Sequence, residues 1–315
     1  MKIVLALGGN ALQADPKDKT PGSQLKTCKD TAKSIVDLIE EGHTVSIVHG
    51  NGPQVGQILA SVEGGYKENN SNVLFPFDVC GSFSQGYIGY HLQNAIEGEL
   101  KKRKIERPVG TIVTQVLVSK DDKGFQNPTK PIGSFYSEDQ AKKLEKEKGY
   151  VMKEDAGRGY RRVVASPKPI DVIEKGLIKH LVESENIVIS CGGGGIPVVE
   201  EDGMVKGVPA VIDKDFAAEK LAEIIDADML LILTAVDKVA VNFNKPNQKD
   251  LDKVNVKELD EYIKEGQFAP GSMLPKVEAC KKFVLFDKNK TSIIASLSKA
   301  KEAIKGESGT RIVNK

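Results

Sequence analysis

The sequence predicts an α/β fold in which a mostly parallel sheet is covered by helices on both faces. Short apolar runs of strand length lead into glycine-rich or polar turns and then into stretches with helical periodicity, and this order repeats along the chain. Such alternation is typical of βαβ units, whose strands lie parallel in one sheet. The 315 residues suffice for one large domain of this kind or for two smaller ones.

Four apolar runs predict the buried strands of this sheet. They occupy residues 2–7, 44–49, 187–191 and 229–233. In chain order they lead into Gly8-Gly9-Asn10, Gly50-Asn51-Gly52, the glycines at 192–195, and Thr234-Ala235-Val236-Asp237. Apolar runs bounded by such turns are typical of strands whose two faces are both covered.

Amphipathic helices are predicted between the strands. In the first of them, apolar residues recur at helical spacing between positions 25 and 39, and Gly42 is the predicted stop. Further helical patterns lie near 54–63, 79–103, 170–184, 215–226, 256–265 and 273–286. The apolar faces of these helices are expected to form the core.

Residues 118–168, which we call the excursion, break this pattern. They combine polar turns, prolines and a charged helical stretch at 137–148, where Ser137 and Gln140 have the spacing of a capping box. An insertion of this length is predicted to leave the main sheet as a small protruding unit. It is either a lid that closes over a site or a surface arm without motion, and the sequence leaves both open.

Composition and charge argue against several classes of partner. The net charge is +1, aromatic residues make up 5% and Trp is absent, so neither a positive field nor stacking platforms predict a nucleic-acid partner. The strand-like run starts at Lys2, which leaves no room for a signal peptide, and no apolar stretch reaches the roughly 18 residues of a membrane span. The four cysteines lie far apart without a CxxC pair, which predicts reduced thiols and a cytoplasmic protein.

The glycine-rich turns are candidate anion sites. Between a strand and a helix they present unpaired backbone N–H groups and the positive end of the helix to an anion. Three such turns occur, two of them with Asn beside Gly, at Gly9-Asn10 and Gly50-Asn51. Glycines in these places also serve close packing alone. Their recurrence favours the anion site, with phosphate as the natural ligand.

Familiar nucleotide and catalytic fingerprints are missing from the sequence. It has no G-x-x-x-x-G-K-[ST] loop, and the run from Gly50 to Gly56 is one residue too long for G-x-G-x-x-G. The protein-kinase signatures and the G-x-S-x-G elbow are absent, and the four histidines show no metal spacing. Among these histidines, His49 is expected to order the second glycine turn.

Phosphoryl transfer needs cations around the transferred group more than it needs a protein nucleophile. Three lysines in constrained backbone are candidates: Lys130 between two prolines, Lys214 between two aspartates, and Lys276 at a predicted helix start. The chain has 45 basic residues, so spacing alone does not single these lysines out.

Eight segments, in order along nearly the whole chain, resemble the carbamate kinase branch of the amino acid kinase family. They are ALGGNA at 6–11, HGNGPQVG at 49–56, NPTKPIG at 127–133, KEDAGRG at 153–159, SPKP at 166–169, CGGGGIPV at 191–198, VIDKDFA at 211–217 and FAPGSMLPK at 268–276. The resemblance implies a three-layer αβα sandwich forming a single domain at 1–315, with 118–168 as its protruding subdomain, and usually a homodimer.

The same resemblance implies an activity and its residues. The expected reaction is ATP plus carbamate to ADP plus carbamoyl phosphate, run toward ATP in the arginine deiminase pathway. Position by position, the family's active-site lysines fall on Lys130, Lys214 and Lys276, and the carboxylate that orients them falls on Asp215. The implied ligand contacts fall into two groups: Gly8, Gly9, Asn10, Gly50, Asn51 and Gly52 for phosphate and carbamate, and Thr234, Ala235, Val236, Asp237 and Met273 for the nucleotide. Mg²⁺ is expected to arrive with the nucleotide phosphates, without a protein metal site.

Two alternatives remain at this point. A family member acting on another small acid or on a nucleoside monophosphate would share the glycine turns and lysines, although the segments at 127–133 and 268–276 favour carbamate. A catalytically silent nucleotide sensor would share the fold, but the presence of all three lysines and Asp215 weighs against it.

Overall fold

The structure, a computed structural model, describes residues 1–15, 18, 20–68, 73–155 and 157–315, with the backbone alone for Asn10, Lys67 and Glu68. The strands in these ranges are β1 (Lys2–Leu7), β2 (Thr44–His49), β3 (Val109–Thr111), β4 (Gln115–Leu117), β5 (Lys130–Tyr136), β6 (Val151–Glu154), β7 (Tyr160–Val164), β8 (Asp171–Val172), β9 (Ile187–Ile189), β10 (Ile196–Glu201), β11 (Met204–Gly207), β12 (Met229–Thr234), β13 (Val239–Val241), β14 (Lys249–Leu251), β15 (Lys253–Asn255), β16 (Thr291–Ser296) and β17 (Thr310–Val313). The helices are α1 (Pro21–Glu40), α2 (Gly52–Glu68), α3 (Phe77–Lys102), α4 (Lys123–Gln126), α5 (Glu138–Lys148), α6 (Lys175–Glu183), α7 (Lys214–Ile224), α8 (Val256–Lys264), α9 (Met273–Phe286) and α10 (Ala300–Lys305).

The main sheet has eight strands in the order β15-β17-β16-β12-β1-β2-β9-β3. Neighbouring strands are parallel except for the antiparallel pair β16 and β17. At the centre, Leu7 of β1 lies opposite both His49 of β2 and Leu233 of β12. The carboxyl ends of these strands therefore meet at one edge, where the glycine turns follow.

Side chains of β1 alternate between the two faces of the sheet, as strand geometry requires. Ile3, Leu5 and Leu7 are fully buried in a core with α1, α3 and α10, while Val4 and Ala6 are fully buried in a second core with α6, α7, α8 and α9. A central parallel strand needs both faces covered by helices. The predicted three-layer α/β fold around a mainly parallel sheet is confirmed.

Smaller sheets lie beside the main one. One contains β11-β10-β4-β8, and another contains β5-β7-β6, which we call the small sheet. The small sheet falls within the excursion, together with α5. The predicted capping box is present, because Ser137 Oγ accepts from the Gln140 amide at 3.3 Å and Gln140 Oε1 accepts from the Ser137 amide at 3.0 Å. Ala156, which the excursion includes, lies outside the described residues.

Several predicted boundaries hold and others need correction. α1 ends at Glu40, and Gly42 has a φ of 85°, a left-handed conformation that suits glycine. The helix predicted near 170–184 starts only at Lys175, because Asp171 and Val172 form β8, which pairs with β4. The strand predicted at 187–191 ends at Ile189. Within the described ranges, no helix is long and apolar enough to cross a bilayer.

Candidate active site

A cleft of about 250 Å³ opens at the edge of the main sheet where β1 and β2 end. Its main-body wall consists of the glycine turns after these strands and the first residues of α7, with Ser272 and Lys276 contributed around the start of α9. Its other wall comes from the excursion, at the beginning of β5, in the loop between β6 and β7 and at the beginning of β7. Segments far apart in the sequence thus converge on one concave surface.

Asp215 joins two of the predicted lysines in this cleft. Lys276 Nζ donates to Asp215 Oδ2 at 2.9 Å, and Lys214 Nζ donates to Asp215 Oδ1. Asp215 is only 2% exposed and Lys214 is 9% exposed. Because both lysines lie at the beginnings of helices packed on the main sheet, their ammonium groups are held in place by the fold.

Asp213 connects the two walls of the cleft. Its Oδ1 accepts from the Asp215 amide at 2.9 Å and caps α7, while its Oδ2 accepts from Lys130 Nζ at 2.6 Å. Lys130 is the first residue of β5, so this ion pair ties the excursion to the main body. The sequence suggested Asp213 as one of two carboxylates that could orient Lys214, and its ion pair with Lys130 was not predicted.

Burial and charge act in opposite directions on these groups. Burial disfavours the charged form of Asp215, but Lys214 and Lys276 outweigh it and hold the pKa of this carboxyl below its usual range. Lys130 likewise holds the pKa of Asp213 well below its usual range despite burial. Burial lowers the pKa of Lys214, and the charge of Lys276 adds to this effect. At neutral pH the two carboxylates therefore remain ionised among the cations.

The glycine turn after β2 packs against the side chain of Lys214, which begins α7, and against the glycines after β9. A Cβ on Gly50 would lie 3.3 Å from Lys214 Cδ, so the stem of this lysine runs across the glycine. Gly193 has a φ of 68°, and a Cβ there would lie 2.2 Å from Asn51 Nδ2. Asn51 Nδ2 donates to Ser84 Oγ at 2.9 Å, which fixes the orientation of its amide.

His49 is the last residue of β2 and directly precedes this turn. It is fully buried, and burial lowers its pKa to about 4. The ring is therefore neutral at pH 7, and its Nδ1 lies 2.9 Å from the carbonyl oxygen of Gly50, so the Nδ1–H tautomer donates to that oxygen. This geometry supports the expectation that His49 orders the turn.

Two arginines on the excursion wall were not among the predicted site residues. Arg158 Nη2 and Arg161 Nη1 lie 2.9 Å and 3.2 Å from the two carboxylate oxygens of Asp155. Arg161 also donates to the Gly133 carbonyl at 3.1 Å. All three charged side chains line the cleft. The signal available in the sequence was an arginine between two glycines, Gly157 and Gly159, inside the KEDAGRG segment.

The other predicted residues lie at different distances from the cleft. Gly9, Gly50, Asn51 and Gly52 line it. The Gly8 amide donates to the Leu233 carbonyl at 3.1 Å, and the side chain of Asn10 lies outside the described part of the chain. The residues predicted for the nucleotide are not part of the cleft lining: Thr234, Ala235, Val236, Asp237 and Met273. Asp237 pairs with Lys299 at 2.5 Å.

Cations outnumber carboxylates in the described lining of the cleft. Five cationic side chains face three carboxylates there: Lys130, Arg158, Arg161, Lys214 and Lys276 against Asp155, Asp213 and Asp215. In the part of the chain that the structure describes, no group of three or more His, Cys, Asp or Glu side chains is arranged to hold a metal ion. A cationic cleft with glycine turns at the carboxyl edge of a parallel sheet defines an α/β protein suited to binding phosphate groups.

Comparisons with known proteins identify the family. The family model described as "Amino acid kinase family" matches residues 1–295. The chain belongs to this family, as the sequence resemblance predicted.

Individual relatives fall in the carbamate kinase branch. The chain is 71% identical over 313 residues to the carbamate kinase of Clostridium perfringens, covering 99% of this chain and 100% of the relative. It is 55% identical over 311 residues to the carbamate kinase-like protein YqeA of Escherichia coli, with 99% and 98% covered. The solved structure of Giardia lamblia carbamate kinase bound to AMP-PNP matches with a TM-score of 0.90 at 40% identity, covering 99% of this chain and 98% of that one.

Proposed function

We propose that this chain is a carbamate kinase, which transfers a phosphoryl group reversibly between ATP and carbamate and so interconverts them with ADP and carbamoyl phosphate. The observation that carries the proposal is the convergence of Lys130, Lys214 and Lys276 on one cleft beside the glycine turns. The 71% identity to a carbamate kinase over nearly the full chain supports the choice of carbamate as acceptor.

The chemistry follows from the charges that the cleft presents. A carbamate oxygen attacks the γ-phosphorus, a new P–O bond forms, and the bond to the bridging oxygen of ADP breaks. Backbone N–H groups of Gly9, Asn51 and Gly52 hold the equatorial oxygens, whereas the Gly50 amide donates to the Leu7 carbonyl at 3.3 Å. The three lysines neutralise the charge that spreads over the transferred group. No protein nucleophile is required.

The aspartates have an orienting role in this proposal. Asp215 fixes Lys214 and Lys276 relative to one another, and Asp213 fixes Lys130. Preorganised cations stabilise a transition state without reorganisation at the moment of reaction. The carboxylates are ionised at neutral pH, so each lysine keeps its partner through the cycle.

Mg²⁺ would bind at this site through the phosphates of the substrate rather than through a set of protein ligands. It is usually bound by one or two carboxylates together with substrate phosphates. Both Asp213 and Asp215 already accept from lysines. When bound, Mg²⁺ would supply charge neutralisation on the nucleotide phosphates and would be held mainly by those phosphates, since Asp213 and Asp215 stay paired with their lysines.

The excursion, residues 118–168, is proposed to be a protruding subdomain that closes over the cleft. Lys130 and Arg158 line the cleft from this side, which supports the idea. Closure would exclude water from the reacting phosphoryl group.

For the nucleotide we propose the segment from Thr234 to Asp237 together with Met273. Thr234 ends β12, next to β1, and Met273 follows Ser272, which lines the cleft.

The family resemblance also suggests the setting of the enzyme. We propose a cytoplasmic homodimer that runs toward ATP synthesis in the arginine deiminase pathway. All four cysteines are free and buried, which supports a reducing compartment.

The decisive experiment supplies purified protein with ADP, Mg²⁺ and carbamoyl phosphate and measures ATP formation. Rapid ATP formation is expected. No ATP from this pair, together with turnover of ATP with acetylglutamate or UMP, would reject carbamate as the acceptor. Calorimetry that detects ADP binding without any phosphoryl exchange would instead indicate a nucleotide sensor.

A further inference from the structure

Glu63 lies on α2, outside the candidate cleft, and contacts three side chains of the excursion. Lys148 at the end of α5 and Tyr150 just before β6 each donate a hydrogen bond to its carboxylate. Arg162 of β7 lies 3.5 Å away, from Nη1 to Oε1. All four side chains are partly buried. One carboxylate of the main body therefore collects contacts from three parts of the excursion.

The backbones of α2 and β5 touch beside this cluster. A Cβ added to Gly56 would lie 2.1 Å from Gly133 Cα, and Gly133 has a φ of 72°. Next to this contact is a cavity of about 160 Å³, lined by residues that include Glu63, Leu59 and Leu144. Val55 and Leu59 of α2 pack with Ile132 of β5 and Val164 of β7 in a small apolar core, and the charged cluster beside this core is placed to fix the angle of the small sheet on α2.

The charges in the cluster strengthen its contacts. Burial alone would raise the pKa of Glu63, but hydrogen bonds from Lys148 and Tyr150 and the charges of Lys148 and Arg162 hold this pKa below its usual range. Glu63 is therefore ionised at neutral pH. The Arg162 guanidinium also lies 3.7 Å from the centroid of the Tyr150 ring. Hydrogen bonds to ionised groups are roughly twice as strong as neutral ones.

The cluster connects the two walls of the cleft at a distance from it. The small sheet begins with Lys130, and the loop between β6 and β7 carries Arg158, both of which line the cleft. α2 begins at Gly52, which lines the opposite wall. A change in the angle between α2 and the small sheet would therefore move the cations of one wall relative to the glycines of the other.

We propose that Glu63 is a positioning residue for the phosphoryl-transfer reaction, because it fixes the excursion over the cleft through Lys148, Tyr150 and Arg162. The inference rests on the proposed function. Without this carboxylate the two cations repel one another and the excursion is closed for a smaller fraction of the time. Apparent affinity falls in proportion to the population of the competent state. Saturating substrate restores closure, so KM should change more than kcat.

The kinetic test compares Glu63→Ala and Glu63→Gln with Glu138→Gln. Glu138 is a matched control because it lies on α5 in the same excursion and pairs with Lys142 of its own helix at 2.8 Å. Loss of both hydrogen bonds to this carboxylate, together with the Arg162 ion pair, predicts that Glu63→Ala raises KM at least about tenfold, with kcat within about twofold of the unaltered protein. Glu63→Gln should raise KM less, because its amide oxygen still accepts, and Glu138→Gln should leave KM unchanged. An unaltered KM in both Glu63 variants would overturn the proposal.

A second measurement needs no turnover. Spin labels at Lys142→Cys and Lys179→Cys, both exposed positions, would report the distance between the excursion and the main body, since the four native cysteines are buried. Glu63→Ala should broaden and lengthen the distance distribution, and identical distributions would contradict the proposal. A protein that forms no ATP would reject the proposed function alone, and these distances would still decide the role of Glu63.

Discussion

The two walls of the candidate cleft are built in different ways. On the main-body wall, Lys214 and Lys276 share the buried carboxylate of Asp215. On the excursion wall, the side chain of Arg158 is 61% exposed and that of Lys130 is 26% exposed. One wall therefore presents cations fixed by packing, whereas the other presents cations on a separate small sheet. Lys130 is itself held by Asp213 of the main body, so the contrast is largest for the exposed Arg158. Charges in fixed, buried positions favour transition-state stabilisation, and an exposed charge favours capture of the ligand.

This difference predicts that substitutions on the main-body wall have the largest effect on the chemical step. Lys214→Ala should lower kcat by a factor on the order of 10²–10³, as loss of one preorganised transition-state contact does. The measurement is the initial rate of ATP formation from ADP and carbamoyl phosphate at saturation. Lys179→Ala is the control, since Lys179 lies on α6 with its side chain 53% exposed. A near-normal kcat for Lys214→Ala would remove this lysine from the site.

His49, which lies beside the main-body wall, predicts that the free energy of unfolding depends on pH. Burial lowers the pKa of His49 to about 4, from an ordinary value of 6.5. Between these values the unfolded chain takes up a proton that the folded chain does not, so the free energy of unfolding falls as pH falls below about 6.5. The loss is about 1.4 kcal/mol per pH unit, or about 2 kcal/mol at pH 5.

A His49→Gln variant lacks this titration and provides the comparison. Urea unfolding at pH 7 and pH 5 should show the unaltered protein losing about 2 kcal/mol more than the variant on acidification. His180→Gln is the matched control, because it replaces an exposed histidine and leaves His49 in place, so this variant should keep the loss of stability that His49 causes. An equal loss of unfolding free energy between pH 7 and pH 5 in all three proteins would show that protonation of His49 does not destabilise the folded state.

The excursion wall should tolerate more change. Arg158→Ala should lower kcat/KM about tenfold, the size expected for one charge-assisted hydrogen bond to a phosphate oxygen. Arg158→Lys should recover part of the loss by keeping the charge. Lys142→Ala removes an exposed cation from the same excursion and should leave the rate unchanged. If Arg158→Ala lowered kcat as much as Lys214→Ala, the distinction between the two walls would fail.

The residues of the main-body wall could be predicted from the sequence more completely than those of the excursion wall, for a physical reason. The glycine turns directly follow buried strands, and Lys214 is the first residue of α7. Local patterns in the sequence therefore indicate that these residues lie at the carboxyl edge of the main sheet. Asp155 and Arg158 lie in the loop between β6 and β7, and Arg161 lies in β7, so their approach to the cleft depends on how the small sheet packs on α2. That packing depends on contacts such as Gly56 with Gly133, which are distant in sequence.

Among the secondary elements, the same limit applies to short strands. β8 has two residues and was predicted as helix, because its pairing with β4 is not visible in its own sequence. β16 lies between β12 and β17 in the sheet, but the four apolar runs that predicted strands did not include it. The family resemblance supplied the three lysines that we propose as catalytic, which spacing alone did not distinguish.

The smallest expected effect tests whether the excursion is stabilised separately from the main body. Both regions contain a helix with a capping box, formed by Ser137 and Gln140 at α5 and by Asn255 and Glu258 at α8. Replacing either cap with Ala should cost about 1 kcal/mol. Asn255→Ala should lower the free energy of the main unfolding transition. Ser137→Ala should instead speed hydrogen exchange in α5 and leave that transition in place, since a separate unit opens by itself. Equal shifts of the main transition in both variants would mean that the excursion and the main body unfold as one unit. The two walls would then differ in the exposure of their cations, but the excursion would not be a separately stabilised unit.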